Sequence, residues 1–407
     1  MKQSKLNGSS QRGTVRTAHS ELGLDVGPHL IPCTTPSGPQ RSGDSRNPFT
    51  TAWIHVLCVP VGTFAAPSSR ECVDAVELLY PSHKKKRAMP KTAIITGITG
   101  QDAYFLSEYL LALGYQVIGV SRAKSEAEIN DRIQIEYGDI ADDNTKWIKG
   151  LIAKWQPHEM YHLGGQSSKG RAIAEPCETI LNTGYTTCVL LQAIREASPA
   201  TRFFHASSSE IFGNPTESPQ TETTVPHPLS PYAVAKMTGH HFLQYYREAY
   251  GIFAVSGILY NHESPRRRAE FVTKKIADAV ASIVMGEQHT LHLGDLEARR
   301  DWGHAKDFVR AMHAALQVET PQDYIIATGT THSVRDFCEI AFQSQGLNYR
   351  NHVVSGTPAC LRSGDFHHLV GDTSRANRVL KWTPLYSFAD MVNEMVSACL
   401  HSKKKRE

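Results

Sequence analysis

Thr92-Ala93-Ile94-Ile95-Thr96-Gly97-Ile98-Thr99-Gly100-Gln101-Asp102-Ala103 is the stretch whose reading decides the fold. Its first five residues form a short apolar run suited to a strand buried on both faces. Leu106, Tyr109, Leu110 and Leu111 then recur at helical spacing, and Gly114 closes the helix. Strand, glycine turn and helix in that order are the context of a dinucleotide site. Gly97 permits the tight turn, and Gly100 lets the backbone approach a pyrophosphate seated on the helix N-terminus. Ala103 stands where the third glycine of such a turn packs helix against strand. A plain strand-turn-helix fits Gly-x-x-Gly-x-x-Ala as well, so the assignment also needs the later strands of a dinucleotide fold.

Those strands come at the expected intervals. The run 116–121 ends at Arg122, where an acidic residue would bind the ribose hydroxyls of NAD. An arginine there instead suits a 2′-phosphate and points to NADP; the bland alternative is a solvated surface arginine. A third strand, 133–137, leads into Gly138-Asp139-Ile140, and Asp139 offers an acceptor for an adenine amino group. A fourth, near 160–163, ends at Leu163 and runs into Gly164-Gly165-Gln166-Ser167, small residues that let backbone pack against a ribose or nicotinamide. A helix over 181–195 and a strand over 202–206 then deliver Ser207-Ser208-Ser209-Glu210 to the sheet's carboxyl edge, where open α/β sheets bind ligands. The expected fold is an α/β Rossmann doubly wound parallel sheet with a smaller C-terminal substrate-binding subdomain. Residues 89–260 form the dinucleotide domain. Residues 261–400 form mainly the subdomain, with a strand returning to the sheet near 324–327, and 401–407 are a basic tail.

Tyr232 and Lys236 stand four apart with neither Pro nor Gly between them, so a helix puts both on one face. An ammonium beside a phenol favours the phenolate and lowers its pKa from about 10. A tyrosine tuned that way takes a proton from a sugar hydroxyl. Two fixed letters arise often by chance on a solvated helix; the glycine turn upstream gives them weight. Glu210 follows Ser208 by two places, so in an extended segment both side chains point to the same side.

Composition narrows the function classes. A chain of 407 residues with 41% hydrophobic content can bury a large core. Its net charge of +3 is too small to argue for nucleic acid. The eight cysteines form no Cys-x-x-Cys pair, which points away from a zinc site or disulfide framework and towards reduced cytoplasmic thiols. Residues 1–88 are rich in Ser, Thr, Pro, Gly and Arg and end in Lys84-Lys85-Lys86-Arg87. Their apolar run at 51–66, about sixteen residues broken by Pro60 and Gly62, is short for a membrane span. We read 1–88 as a disordered or untranslated extension, with folding from Met89.

From Lys91 to about Ala398 the chain resembles the GDP-mannose 4,6-dehydratase family of extended short-chain dehydrogenase/reductases. The resemblance is carried by Thr96-Gly97-Ile98-Thr99-Gly100-Gln101-Asp102, Ser207-Ser208-Ser209-Glu210, Ser230-Pro231-Tyr232-Ala233-Val234-Ala235-Lys236 and Arg300-Asp301-Trp302-Gly303-His304. Above all it is carried by Asn261-His262-Glu263-Ser264-Pro265-Arg266-Arg267. It implies NADP as cofactor and GDP-mannose as substrate. Tyr232 would be the base at the C4 hydroxyl, tuned by Lys236, with Ser208 bonded to the C4 oxygen. Glu210 would take the C5 proton and hand one to the departing C6 hydroxyl. His262 and Arg267 match cofactor positions. Asn261, Lys275, Arg300 and Arg362 match positions near the GDP moiety. The family suggests a homodimer or homotetramer.

Departures from the family pattern are Ala103, Ala123 where a second basic residue is common, Glu178 at a usual tyrosine, and Asp365 at a usual glutamate. The competing readings are an epimerase or reductase of the same fold, and an inactive NADP-binding protein. Glu210 argues against the first, since C4 redox chemistry alone needs no acid there. The intact set of Ser208, Glu210, Tyr232 and Lys236 argues against the second. A chain begun at Met89 is expected to fold with full activity. Insolubility or inactivity of that shortened protein, measured against the full chain, would make 1–88 structural.

Overall fold

A computed structural model describes residues 90–124, 127–142, 145–357 and 369–405. The 1–88 extension, Arg362 and Asp365 lie outside the described residues. The opening run becomes strand β1 (Thr92–Thr96), buried along its whole length. Alternation then sorts its side chains: Ala93 and Ile95 join one core and Ile94 joins another on the opposite face. Helix α1 (Gln101–Ala112) follows, then β2 (Gln116–Ser121), β3 (Gln134–Tyr137), α2 (Lys146–Trp155) and β4 (Glu159–His162). After a π-helical turn over Ile180–Tyr185 come α3 (Thr186–Ala197), β5 (Arg202–Ser208), α4 (Pro231–Tyr250) and β6 (Ala254–Leu259).

These strands and a later one, β10 (Tyr324–Ile326), make a seven-stranded sheet in the order β10-β6-β5-β4-β1-β2-β3. Every neighbouring pair is parallel, with Thr96 level with both Val120 and His162. The chain winds outward in both directions from β1, so the crevice lies where β1 and β4 diverge. One face is covered by α1 and by α6 (Ala305–Ala315), through Leu106, Leu110, Phe308 and Met312. The other is covered by α2, α3 and α4 through Ile148, Leu190 and Leu243. The 324–327 strand is therefore not the only return: α6 and the segment carrying Ala376, Leu380 and Trp382 pack into the same core as β1.

A separate apolar cluster gathers α5 (Val272–Val284), α7 (Val334–Gln343) and α8 (Phe388–Lys404) around Trp302 and Phe337. Beside it lies the three-stranded sheet of β7 (Asn261–Glu263), β9 (Arg299–His304) and β11 (Thr331–Ser333), with β9 in the middle. Short capping sequences start the helices: Ser333 with Asp336, and Ser387 with Asp390, form reciprocal capping boxes.

Asp301 on β9 ties this sheet to the large one. Its carboxylate is buried and accepts from Thr328 N and Oγ1 at 2.8 and 2.6 Å, Gly329 N at 2.9 Å and Gly371 N at 3.3 Å. Asp301→Ala strands these donors in a dry site. It is expected to lower unfolding stability by about 3 kcal/mol, read from urea denaturation; a loss within experimental error would show that the loops re-pair without the carboxylate.

Candidate active site

The glycine turn is built by contact of backbone on backbone. Gly97 has φ +71°, and a Cβ there would lie 2.8 Å from Gly164 Cα and N. Only glycine meets both demands. Gly164 N donates to Thr96 Oγ1 at 3.2 Å, and that hydroxyl bonds His162 Nδ1 at 2.7 Å. Burial first, and the Lys236 charge second, push the His162 imidazole down to about 3, so the ring is neutral. Gly100 caps α1 with no side-chain hydrogen bond to the first-turn amides. Such amides are what a pyrophosphate accepts from, and the close backbone approach at Gly97 leaves it room.

A cavity of ≈ 580 Å³ opens at the carboxyl edge of the sheet. Of the residues expected to hold a cofactor, Gly97, Thr99, Gly100, Gln101 and Asp102 line its turn, and Arg122, Asp139 and Ile140 line it beyond β2 and β3. Leu163, Gly164, Gly165, Gln166 and Ser167 line it beyond β4. Ile98 points into the core instead, 3% exposed, where it fills the space left by Gly119. Ser208, Glu210, Tyr232, Lys236, Asn261, His262 and Arg267 share the same cavity. Lys275 and Arg300 are not among its lining: Lys275 Nζ donates to His292 O at 2.8 Å, and Arg300 Nη1 to Arg299 O at 2.6 Å.

Ser230 caps α4, accepting from Ala233 N at 3.1 Å, and Pro231 occupies the first turn. This fixes Tyr232 at the helix start with Lys236 one turn on, Nζ 5.7 Å from the phenol ring centroid. Two expectations are corrected here. Ser208 and Glu210 are not both extended: β5 ends at Ser208, whose Oγ accepts from Glu210 N at 3.2 Å and caps a 3-10 turn over Ser209–Phe212. Curling, rather than alternation, brings Glu210 to the cavity. Nor does Lys236 lower Tyr232. Burial, then the Glu210 charge, raise the phenol well above its ordinary value, against a Ser208 hydrogen bond and the Arg267 charge. The Lys236 ammonium donates instead to Ala206 O at 2.7 Å, and burial pushes it down to about 8.

Segment 261–264 clamps the turn. His262 Nε2 lies 2.9 Å from Asp102 Oδ2, and Nδ1 lies 2.7 Å from Tyr260 O. Gln101 donates to His262 O at 3.1 Å and accepts from Ser264 Oγ at 2.7 Å. The ring stacks on Phe308 with centroids 4.6 Å apart. Burial opposes charge on both partners, yet the pairing prevails: His262 is raised and Asp102 lowered. His262 is thus an imidazolium donating from both nitrogens. Arg267 pairs with Glu263 at 3.0 Å and lies over Phe271. Cavity residues that sequence reasoning missed include Lys124, Arg171, Asn182, Arg266, Arg268 and Phe271. Arg266 and Arg268 adjoin a recognised motif; Asn182 carries no local signal.

Residues 94–395 match the family model described as GDP-mannose 4,6 dehydratase. The GDP-mannose 4,6 dehydratase of Cricetulus griseus is 40% identical over 340 residues, covering 76% of this chain and 91% of that protein. The Homo sapiens protein of the same name is 39% identical, covering 75% and 90%. The GDP-mannose 4,6-dehydratase of Vibrio cholerae is 38% identical, covering 76% and 93%. Among solved structures, UDP-glucose 4-epimerase of Thermotoga maritima with UDP-glucose superposes with a TM-score of 0.69 at 23% identity, covering 77% of this chain and 99% of that one. RMD of Pseudomonas aeruginosa, complexed with NADPH, gives 0.65 at 20%, covering 77% and 100%. At such identities the structures establish a shared fold. No helix among the described residues is long and apolar enough to cross a membrane.

The clamp has a pH signature. His262 is raised on folding, so its contribution to stability is complete below its unfolded pKa and fades as pH rises through the folded one. Asp102 is lowered, so its contribution holds above about 4 and fades as pH falls through the folded value. The stability gap between the unmutated protein and His262→Gln is expected to be widest near pH 5–6 and to shrink towards both ends. A gap independent of pH in urea unfolding would mean that the ring acts by packing alone.

Proposed function

We propose, because the chain belongs to the GDP-mannose 4,6-dehydratase family, that it is a hydro-lyase removing water from GDP-mannose to give GDP-4-dehydro-6-deoxy-mannose. The observation that carries this reading is a carboxylate and a phenol brought to one crevice: Glu210 and Tyr232 line the same cavity as the glycine turn. An oxidation site alone has no use for that carboxylate.

Tyr232 takes the proton of the C4 hydroxyl, and Ser208, bonded to the phenol, steadies the C4 oxygen. A bound oxidised nicotinamide would accept the C4 hydride and return it to C6 once water has left, while Tyr232 gives the proton it took from the C4 hydroxyl to C5. A 4-keto group acidifies the C5 proton, which Glu210 removes. Glu210 then hands a proton to the C6 oxygen as water departs. Lys236, anchored on Ala206 O, presents a buried ammonium to the nicotinamide ribose.

The cofactor fits the chain's own groups. Gly97 packs backbone on backbone against Gly164 where any Cβ would collide, and no side chain caps the start of α1, whose first turn lines the cavity. NADP is the form we favour, since Arg122, Lys124 and Arg171 line the same cavity. On the substrate side we assign the GDP moiety to Asn261, Lys275, Arg300 and Arg362. The chain pairs as a homodimer, or as a homotetramer built on it. Val234, Phe242 and Tyr245 are exposed large side chains along α4, a surface such a partner copy could cover. Cysteines 177, 188, 338 and 399 are free thiols, as a cytoplasmic enzyme keeps them.

Glu210→Gln keeps the shape and removes the proton transfer, a step worth about 10²–10⁴-fold. The variant is expected to bind GDP-mannose and reduce bound NADP⁺ without releasing dehydrated product, followed by nicotinamide absorbance and by the alkali absorbance of the 4-keto sugar. Dehydration at the unmutated rate would assign the elimination elsewhere.

A further inference from the structure

Arg122 does not stand alone in the cavity. Its Nη1 donates to Asn182 Oδ1 at 3.2 Å, and Asn182 Nδ2 donates to Glu178 Oε1 at 2.7 Å. Arg122, Asn182 and Glu178 all line the cavity. Asn182 lies in the π-helical turn and Glu178 four residues earlier, in the short helix Pro176–Thr179 that precedes it, so a segment some sixty positions downstream of Arg122 reaches across to hold it. We propose that Asn182, oriented by Glu178, is the positioning residue that sets the cofactor preference by aiming the Arg122 guanidinium. The inference rests on reading Arg122 as the group that meets a 2′-phosphate.

The chemistry of the three groups allows one arrangement. A guanidinium only donates and a carboxylate only accepts, so the amide between them has its oxygen towards Arg122 and its NH₂ towards Glu178. The result restrains the guanidinium without neutralising it. A carboxylate bonded directly to Arg122 would restrain it as well, but would cancel its charge and repel a phosphate dianion. It would also offer an acceptor to a ribose 2′-hydroxyl, which is how acidic residues at this point select NAD. Asn182 holds the anion Glu178 one amide away from the guanidinium. Asn182 uses one of the five guanidinium N–H groups, and a planar fork held this way suits bidentate contact with phosphate oxygens. Arg171, which also lines the cavity, is paired instead with Glu175 at 2.7 Å.

The test is titration calorimetry of the full chain with NADP⁺ and, separately, with NAD⁺. Asn182→Ala is expected to weaken NADP⁺ about tenfold while leaving NAD⁺ unchanged. Asn182→Asp is expected to weaken NADP⁺ further and strengthen NAD⁺, reversing the preference. Asn182→Gln, with its amide on a longer arm, should keep part of it. Arg122→Ala separates the two levels of the argument. If that change leaves the NADP⁺/NAD⁺ ratio as it was, Arg122 does not read the 2′-phosphate and the underlying assignment fails. If Arg122→Ala collapses the ratio but Asn182→Ala and Asn182→Asp do not move it, the positioning role alone is overturned. Equal losses for both cofactors in the Asn182 variants also overturn it, since they would mark a merely structural residue.

Discussion

The bond between Asp102 Oδ2 and His262 Nε2 closes a span of 160 residues, and the crevice depends on it. Asp102 stands in the first turn of α1, on the helix end whose amides suit a pyrophosphate. An uncompensated carboxylate there would repel the ligand that the turn is shaped for. His262 cancels that charge while giving its second N–H to Tyr260 O, so the compensation comes from a ring held at three points, counting the stack on Phe308. Gln101 reinforces the clamp through His262 O and Ser264 Oγ. The glycine turn and the segment beginning at Asn261 are therefore tied to each other by hydrogen bonds. Any ligand that orders one side acts on the other.

The second constraint is steric. Gly97 and Gly164 meet backbone to backbone at the divergence of β1 and β4. His162 makes this approach precise from beneath, through Thr96 Oγ1, and is kept neutral by its burial first and the Lys236 charge second. Burial thus fixes the protonation of one group so that a neighbour can keep its own. At Lys236 the same burial works in the opposite sense to its partner's: the ammonium is pulled down to about 8 and the Tyr232 phenol is pushed up.

The range of each interaction decides how much of this is legible in the sequence. Period-two alternation, a run without charges and two spaced glycines are local signals, and they announce β1, α1 and the crevice. The Tyr232–Lys236 pairing is also local, one helical turn. Sequence reasoning misplaces the face of Glu210 because alternation cannot be carried past Ser208, where a side-chain cap ends the strand and starts a 3-10 turn. It mistakes the sense of the Tyr232 shift because a pairwise rule ignores burial and the nearby Glu210. Membership of α6 in the first core is invisible in the sequence, because an apolar helix face carries no mark of which sheet it covers. The hydrogen bond from Arg122 to Asn182 spans 60 residues and has no pattern at either end.

These differences bear on the chemistry. The Tyr232 phenol is held above its ordinary value by burial first and the Glu210 charge second, so its phenolate forms less readily than in water and is a stronger base once formed. Tyr232 and Glu210 line the same cavity, so the fold brings a carboxylate and a phenol to one place. Ser208 accepts from the Glu210 amide, and its hydrogen bond to Tyr232 opposes the rise of the phenol. The placement of Glu210 on a capped turn, rather than on the strand, is what brings it into the cavity with Tyr232.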